Sequence, residues 1–474
     1  MIRQFFRDSL LYGISSLVVQ GSPILVLPIY VRLLSPTEYG VLEVLTIFAL
    51  FVNSTAALEI LQGFARHYPD SRTVRDKEGY SSTALWFTLA AYGLFVGISL
   101  SLSEPLTQII LHARIWGKTF QVAVIATGFN GIYLLLLNQL RWQLKPFAYA
   151  SVSMANTLLT LSTGIYLLVD YQTGIIGIFY GQAVGCTIAG ILAWVLGSRH
   201  YRLIFDWSKC KEMLRFSLPL LPSSIAVITT VYVDRIAIQN IMTFGDVGVY
   251  SVGFRVASIA NLLMAGVYFS LTPLIYQNYV KKSTPDDVER ILMYVLCGTL
   301  PLLMGISLFA KEILLLFTTE PYYGAWLVVP ILAVAAVCSK LYIFFPGLDI
   351  AKKTKIIAVI NISAAFINIL LNILLIPLWG IIGAALATLT GAVVLLGGYV
   401  FMSQKFYPIP YRSESIFPVC SAVMIIIAVG YLISNTPYSS GLALTSLLKL
   451  CLLMLGSVWV IRHLSERRTV SRGI

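Results

Sequence analysis

The sequence predicts an all-α polytopic membrane protein of about fourteen transmembrane helices, two six-helix bundles related by a pseudo-two-fold axis along the membrane normal plus two C-terminal helices. Three observations predict it. The 474 residues are 58% hydrophobic and only 11% charged, with a mean hydropathy of +0.84; a soluble domain carries roughly 25% charge. Lys and Arg gather on alternate loops. The chain also matches itself at a shift of 208 residues.

Apolar runs long enough to span lie near 9–32, 41–61, 81–103, 119–138, 147–169, 174–197, 213–242, 247–274, 291–310, 326–348, 355–376, 380–403, 416–434 and 443–462. The basic start, MIRQFFRDSLLYG, leads into a run of spanning length with no small-residue cleavage site, so it reads as a span and not as a signal peptide. Alternate loops, beginning with the N-terminal segment, carry 25 of the 33 Lys and Arg; the opposite loops carry four, Arg32, Arg114, Lys118 and Lys311. That asymmetry predicts cytoplasmic termini and an even span count. It also explains the net charge of +12 without nucleic acid, as a topology signal and a contact for membrane lipid headgroups. The external connections are short, so function must lie within the membrane.

The repeat begins at once. Arg7 falls on Arg215, Ser15-Ser16 on Ser223-Ser224, Gly40-Val41 on Gly248-Val249, and Asn53 on Asn261, among 12 identities between positions 7 and 57 without a gap. GIIG at 174–177 recurs at 380–383. Residues 1–200 and 201–412 therefore read as two copies of one six-helix unit, and 413–474 as two further helices with a basic tail. Six spans is an even number, so both copies enter from the same side as a parallel repeat. Two facing bundles of this kind predict a transporter that rocks about a central cavity.

The first external turn reads LLSPTEYGVLEV, residues 33–44, and its repeat mate is FGDVGVYSVGFRVASIAN, residues 244–261. With the length and span pattern, these residues resemble the oligosaccharide (O-antigen and exopolysaccharide, Wzx-type) flippases of the MOP superfamily, which also holds the MATE exporters and lipid II flippases. The resemblance covers most of the first twelve spans and rests on turn and packing motifs. It implies a pair of bundles that moves a polyprenyl-pyrophosphate-linked glycan from the cytoplasmic to the external leaflet of the plasma (bacterial inner) membrane by alternating access, beside a polymerase or ligase. The particular glycan does not carry over.

Charges inside spans are costly and mark function. Asp234 and Arg235 lie in the seventh span and Arg255 in the eighth, each Arg about ten residues from the intervening turn and so roughly 15 Å below it, near the midplane. Tyr232, Arg235 and Gln239 share one helical face; Ser251, Arg255 and Ser258 share another. One carboxylate cannot neutralise two guanidiniums, and a pyrophosphate suits the surplus. Three readings stand: headgroup binding by Arg235, Arg255 or both; a structural Asp234–Arg255 pair with Arg235 snorkelling; and proton or cation coupling through Asp234. Asn53 and Asn261 either line the cavity or bond neighbouring helices. Lys340 and Lys449 are expected to snorkel, and Glu43 and Glu59 to sit near opposite interfaces. Pro23, Pro28, Pro219 and Pro222 predict bends in matched helices.

The six Cys show no metal or CxxC spacing, and no nucleotide, zincin or hydrolase motif occurs, so no cofactor, metal or enzymatic activity is expected. A membrane glycosyltransferase or polymerase would need catalytic groups on large external loops. A MATE-like cation exporter would need uncompensated acids, and a lipid II-type flippase is the alternative within the leading class.

Overall fold

The computed structural model describes residues 18–466 apart from 20, 199–200, several positions between 262 and 277, 412, and 436–441. The start of the first expected span, part of the eighth and both termini lie outside the described residues. The described chain is helical throughout its ordered elements. Among the described residues nine helices are long and apolar enough to cross a membrane, or up to eleven if each bent pair is one span. The bent pairs are Pro36–Thr55 with Ile60–His67, at 46°, and Glu320–Leu327 with Val329–Phe344, at 52°. A multi-pass membrane protein follows.

Contacts divide the chain into two units, Met1–Tyr232 and Val233–Ile474. The expected repeat boundary lay at 200/201. The segment after it, Trp207–Ser217, belongs with the first unit because polar contacts fix it there. Lys209 pairs with Asp76 at 2.8 Å and Arg202 with Glu78 at 3.1 Å. The Ser82 and Thr83 hydroxyls accept from the backbone N–H of Arg202 and Asp206 at 2.8 and 3.0 Å. Met213 packs its backbone where Gly63 leaves no room for a Cβ.

Within the first unit, Pro36–Thr55 starts at a capping box, with the Ser35 hydroxyl accepting from the Glu38 N–H and the Glu38 carboxylate accepting from the Ser35 N–H. That span breaks at Leu58 and Glu59, both left-handed at φ 50° and 53°. The Ser217 hydroxyl donates to the freed Leu58 carbonyl at 2.8 Å, so the break is satisfied by the segment packed on it. Pro146–Asp170 and Ile175–Gly197 pack closely, with the Gly181 Cα beside Gly164 and Gly185 beside Thr160, the close approach that glycines four residues apart (Gly177, Gly181, Gly185) permit.

In the second unit, Thr354–Ser403 would be about 75 Å long if straight, more than twice a bilayer core. It folds back instead at Gly380, which takes φ 57° and ψ −136°. Gly383 then packs on the Leu375 backbone, Gly391 on Asn368 and Gly398 on Ile360, an antiparallel hairpin. The matching Gly174 of the first unit is also left-handed, at φ 61°, and Gly177 packs on Leu167. The repeated GIIG is thus a turn-and-approach motif: its first glycine reverses the chain and its second lets the returning helix close in. Near Pro219 the chain runs as a 3-10 turn, Leu218–Leu220, before the Leu221–Ile241 helix.

Candidate functional site

The Leu221–Ile241 helix ends two residues before Thr243, which caps the returning Phe244–Ala257 helix. The Thr243 hydroxyl accepts from the Asp246 N–H at 3.2 Å, and the Asp246 carboxylate accepts from the Thr243 N–H at 3.1 Å. So short a turn makes the two helices antiparallel neighbours. Asp234 and Tyr250, eight residues to either side of Met242, therefore meet. The Tyr250 hydroxyl donates to Asp234 Oδ2 at 2.6 Å.

The other carboxylate oxygen serves Arg235. Asp234 Oδ1 accepts from the Arg235 backbone N–H at 2.8 Å and from Arg235 Nη1 at 3.0 Å. The guanidinium lies over Phe254, 4.1 Å from the ring centre, with the Tyr250 ring at 5.6 Å. Phe254 and Tyr250 are one helical turn apart, so the two rings form a wall for the cation. Asp234 is 3% exposed and Arg235 2%. A buried charge pair is tolerated only when its lone pairs and protons are met, and here three donors meet the carboxylate.

This geometry departs from two of the sequence expectations. Asp234 pairs with its own neighbour and with Tyr250, and Arg235 turns inward onto aromatic rings instead of snorkelling. The reason is Phe254, whose face holds a desolvated guanidinium. Arg255 is half-buried near the end of Phe244–Ala257, and its backbone carbonyl accepts from the Ser258 hydroxyl at 2.7 Å. Tyr232 and Gln239 are half-buried on the Leu221–Ile241 helix. Asn53 lies in the first unit, where its Oδ1 accepts from the Tyr92 hydroxyl at 3.2 Å. Asn261 is half-buried, and no donor among the described residues reaches its buried Oδ1. Among the described residues no cluster of His, Cys, Asp and Glu could hold a metal.

A second buried cation corrects an expectation. Lys449 does not snorkel: it is 1% exposed and its Nζ lies 2.6 Å from Glu312 Oε1. Beside this pair, Lys311 donates to the Ser434 carbonyl at 3.0 Å, and the Trp326 and Tyr431 rings meet at a 40° tilt, 5.1 Å between centres. Lys340 is exposed, as a snorkelling residue would be. Sequence reasoning missed Tyr250 and Phe254. Their i, i+4 spacing opposite an intramembrane Arg was the available signal.

The described chain is a helical, multi-pass membrane protein with bent spans and a buried charge cluster at one helix turn. Comparison with known proteins gives the kind. The polysaccharide biosynthesis protein family matches residues 29–327. The Lsg locus putative protein 1 of Haemophilus influenzae is 21% identical over 80% of this chain and 95% of its own. The probable low-salt glycan biosynthesis flippase Agl15 of Haloferax volcanii is 24% identical over 57% of this chain and 59% of its own. A lipid II flippase MurJ structure in an inward closed conformation has the same fold, with a TM-score of 0.69 and 16% identity over 97% of this chain and 99% of its own. The chain belongs to the polysaccharide biosynthesis protein family and shares the fold of the MurJ structure.

Proposed function

We propose that the chain moves a polyprenyl-pyrophosphate-linked oligosaccharide repeat unit from the cytoplasmic to the external leaflet of the plasma (inner) membrane, by alternating access with a cationic central cavity. Both termini are cytoplasmic in this reading, and a polymerase or ligase takes the product. The observation that carries it is the charge balance of one hairpin. Asp234, Arg235 and Arg255 sum to +1, and the single carboxylate is already met by Arg235 and Tyr250. A pyrophosphate offers the negative charge and the acceptor oxygens that a guanidinium fork fits. Arg255, the more exposed of the two, meets the headgroup first; phosphate then exchanges with Asp234 at Arg235. Tyr232, Gln239, Asn53 and Asn261 supply neutral hydrogen-bonding groups, and Asp234 is the counter-charge that keeps Arg235 in place between cycles.

A MATE-like export of organic cations fits less well, because it needs a carboxylate without a partner and Asp234 has three donors. Lipid II-type substrates share the pyrophosphate and are separated only by the sugar.

The test is translocation of a fluorescent polyprenyl-pyrophosphate oligosaccharide in proteoliposomes. Wild type is compared with Arg255→Gln and with the paired change Asp234→Val with Arg235→Leu, each checked for folding. Loss of transport in folded variants supports the reading. Undiminished transport in both sinks it, as does a wild type that moves organic cations and no such lipid.

A further inference from the structure

At one end of the Val233–Ile474 unit three connections form a single surface. The Tyr407 hydroxyl donates to the Tyr279 carbonyl at 3.1 Å. The Ser403 hydroxyl accepts from the Gly347 N–H at 2.6 Å and donates to the Phe345 carbonyl at 2.7 Å. The Tyr411 hydroxyl donates to the Phe344 carbonyl. The hairpin Thr354–Ser403 both begins and ends at this surface. Lys352, Lys353, Lys355 and Lys405 are exposed on it. Among the described residues none of the four has a carboxylate partner. The acid nearest in sequence, Asp349, is half-buried, and burial pushes its carboxyl above the usual range.

Two features exceed the charge bias of an inner-facing loop. Lys353 stands 5.3 Å from the centre of the Phe406 ring and Lys405 4.4 Å from that of Phe401. Those rings are 38% and 63% exposed at the end of an apolar span. Ammonium groups and open apolar rings side by side match the level of a bilayer where phosphate meets acyl chain. Lys352 also takes φ 53°, with its N–H on the Asp349 carbonyl and that of Lys353 on the Leu348 carbonyl. Glycine takes this helix-ending conformation without steric cost, and lysine does not. The chain keeps a charge where an uncharged residue would fold more easily, and such outliers point to function.

We propose that this surface is a binding site for the phosphate headgroup of anionic phospholipids in the surrounding bilayer, held by Lys352, Lys353, Lys355 and Lys405 with Phe401 and Phe406 against the glycerol and upper acyl region. The open rings favour a bilayer lipid over the transported molecule. Binding is read without transport, so this proposal fails or stands apart from the flippase reading.

The full chain is placed in nanodiscs holding equal phosphatidylglycerol and phosphatidylcholine, and the lipids retained after detergent release are counted by native mass spectrometry. Wild type is expected to retain phosphatidylglycerol preferentially. Changing Lys352, Lys353 and Lys405 to Gln lowers the preference about three- to fivefold per charge; changing the same three to Arg keeps it. Changing Arg72 and Arg75 to Gln, exposed where the Val74–Ser101 helix of the first unit begins, also keeps it. An unchanged preference in the three-Gln variant overturns the proposal. So does an equal loss on changing Arg72 and Arg75, which would make the effect diffuse charge. Displacement of the retained lipid by equimolar polyprenyl diphosphate would assign the surface to the substrate and overturn it too.

Discussion

The two units carry the same hairpin with different contents. In the first, Ser35 and Glu38 form the capping box that begins Pro36–Thr55; in the second, Thr243 and Asp246 form the one that begins Phe244–Ala257. The boxes are 208 residues apart, the spacing of the repeat. At the same shift Asp234 answers to Val26, Arg235 to Leu27, Tyr250 to Leu42 and Phe254 to Thr46. Val26, Leu27 and Leu42 are buried at 5%, 3% and 6% exposure, as Asp234 and Arg235 are at 3% and 2%. The same backbone device therefore closes over aliphatic side chains in one unit and over an ion pair in the other. A hairpin of this kind does not need charge to form. A buried pair is often no more stabilising than well-packed apolar residues of similar size, so stability alone does not account for the charge in the second unit.

That comparison can be broken or sharpened, beginning with the largest effect. Arg235→Leu alone leaves Asp234 buried with only Tyr250 and a backbone N–H; we expect a loss of about 3–5 kcal/mol, read as a lower midpoint in thermal unfolding of the nanodisc-embedded protein. A variant as stable as wild type would mean the carboxylate is not buried as a charge. Tyr250→Phe removes one hydrogen bond to that carboxylate and is expected to cost about 1.5–3 kcal/mol, whereas Leu42→Met, at the equivalent apolar site, should cost less than about 1.5 kcal/mol. Ser35→Ala and Thr243→Ala each remove a cap and should cost about 1 kcal/mol each; a large inequality between them would show that the two turns are not equivalent. The smallest effect is the most telling. Asp234→Val with Arg235→Leu installs the first unit's residues in the second, and its unfolding midpoint should shift by less than about 1 kcal/mol equivalent. A large destabilisation would mean that the pair is structural after all.

Much of this architecture was readable from local chemistry. GIIG was legible only as a repeat; the structure adds that both first glycines take φ near 60°, which only glycine reaches cheaply. The S-x-x-E of SPTE is a helix start written in four residues. Charge asymmetry and apolar runs gave a multi-pass chain. The partners of the charges were not readable. Tyr250 meets Asp234 across a turn, and Glu312 meets Lys449 from 137 residues away, so neither contact leaves a local mark. The break at Leu58 and Glu59 was equally hidden. No glycine or proline marks it, and the Ser217 hydroxyl that satisfies it is supplied by tertiary packing.

The fastening of the last two helices bears on how such a chain grows or shrinks over evolutionary time. Lys311 reaches the Ser434 carbonyl, Glu312 holds Lys449, and Trp326 packs against Tyr431, so residues 311–326 are the other halves of contacts with the last two helices. Deleting residues 413–474 would not restore a simpler ancestor. It would strip Glu312 of Lys449 and Lys311 of the Ser434 carbonyl, contacts that hold this end of the second unit. An addition that exchanges its neighbours' solvation for its own side chains becomes irreversible by ordinary mutation, because loss of the pair and repair of the bundle would have to arrive together.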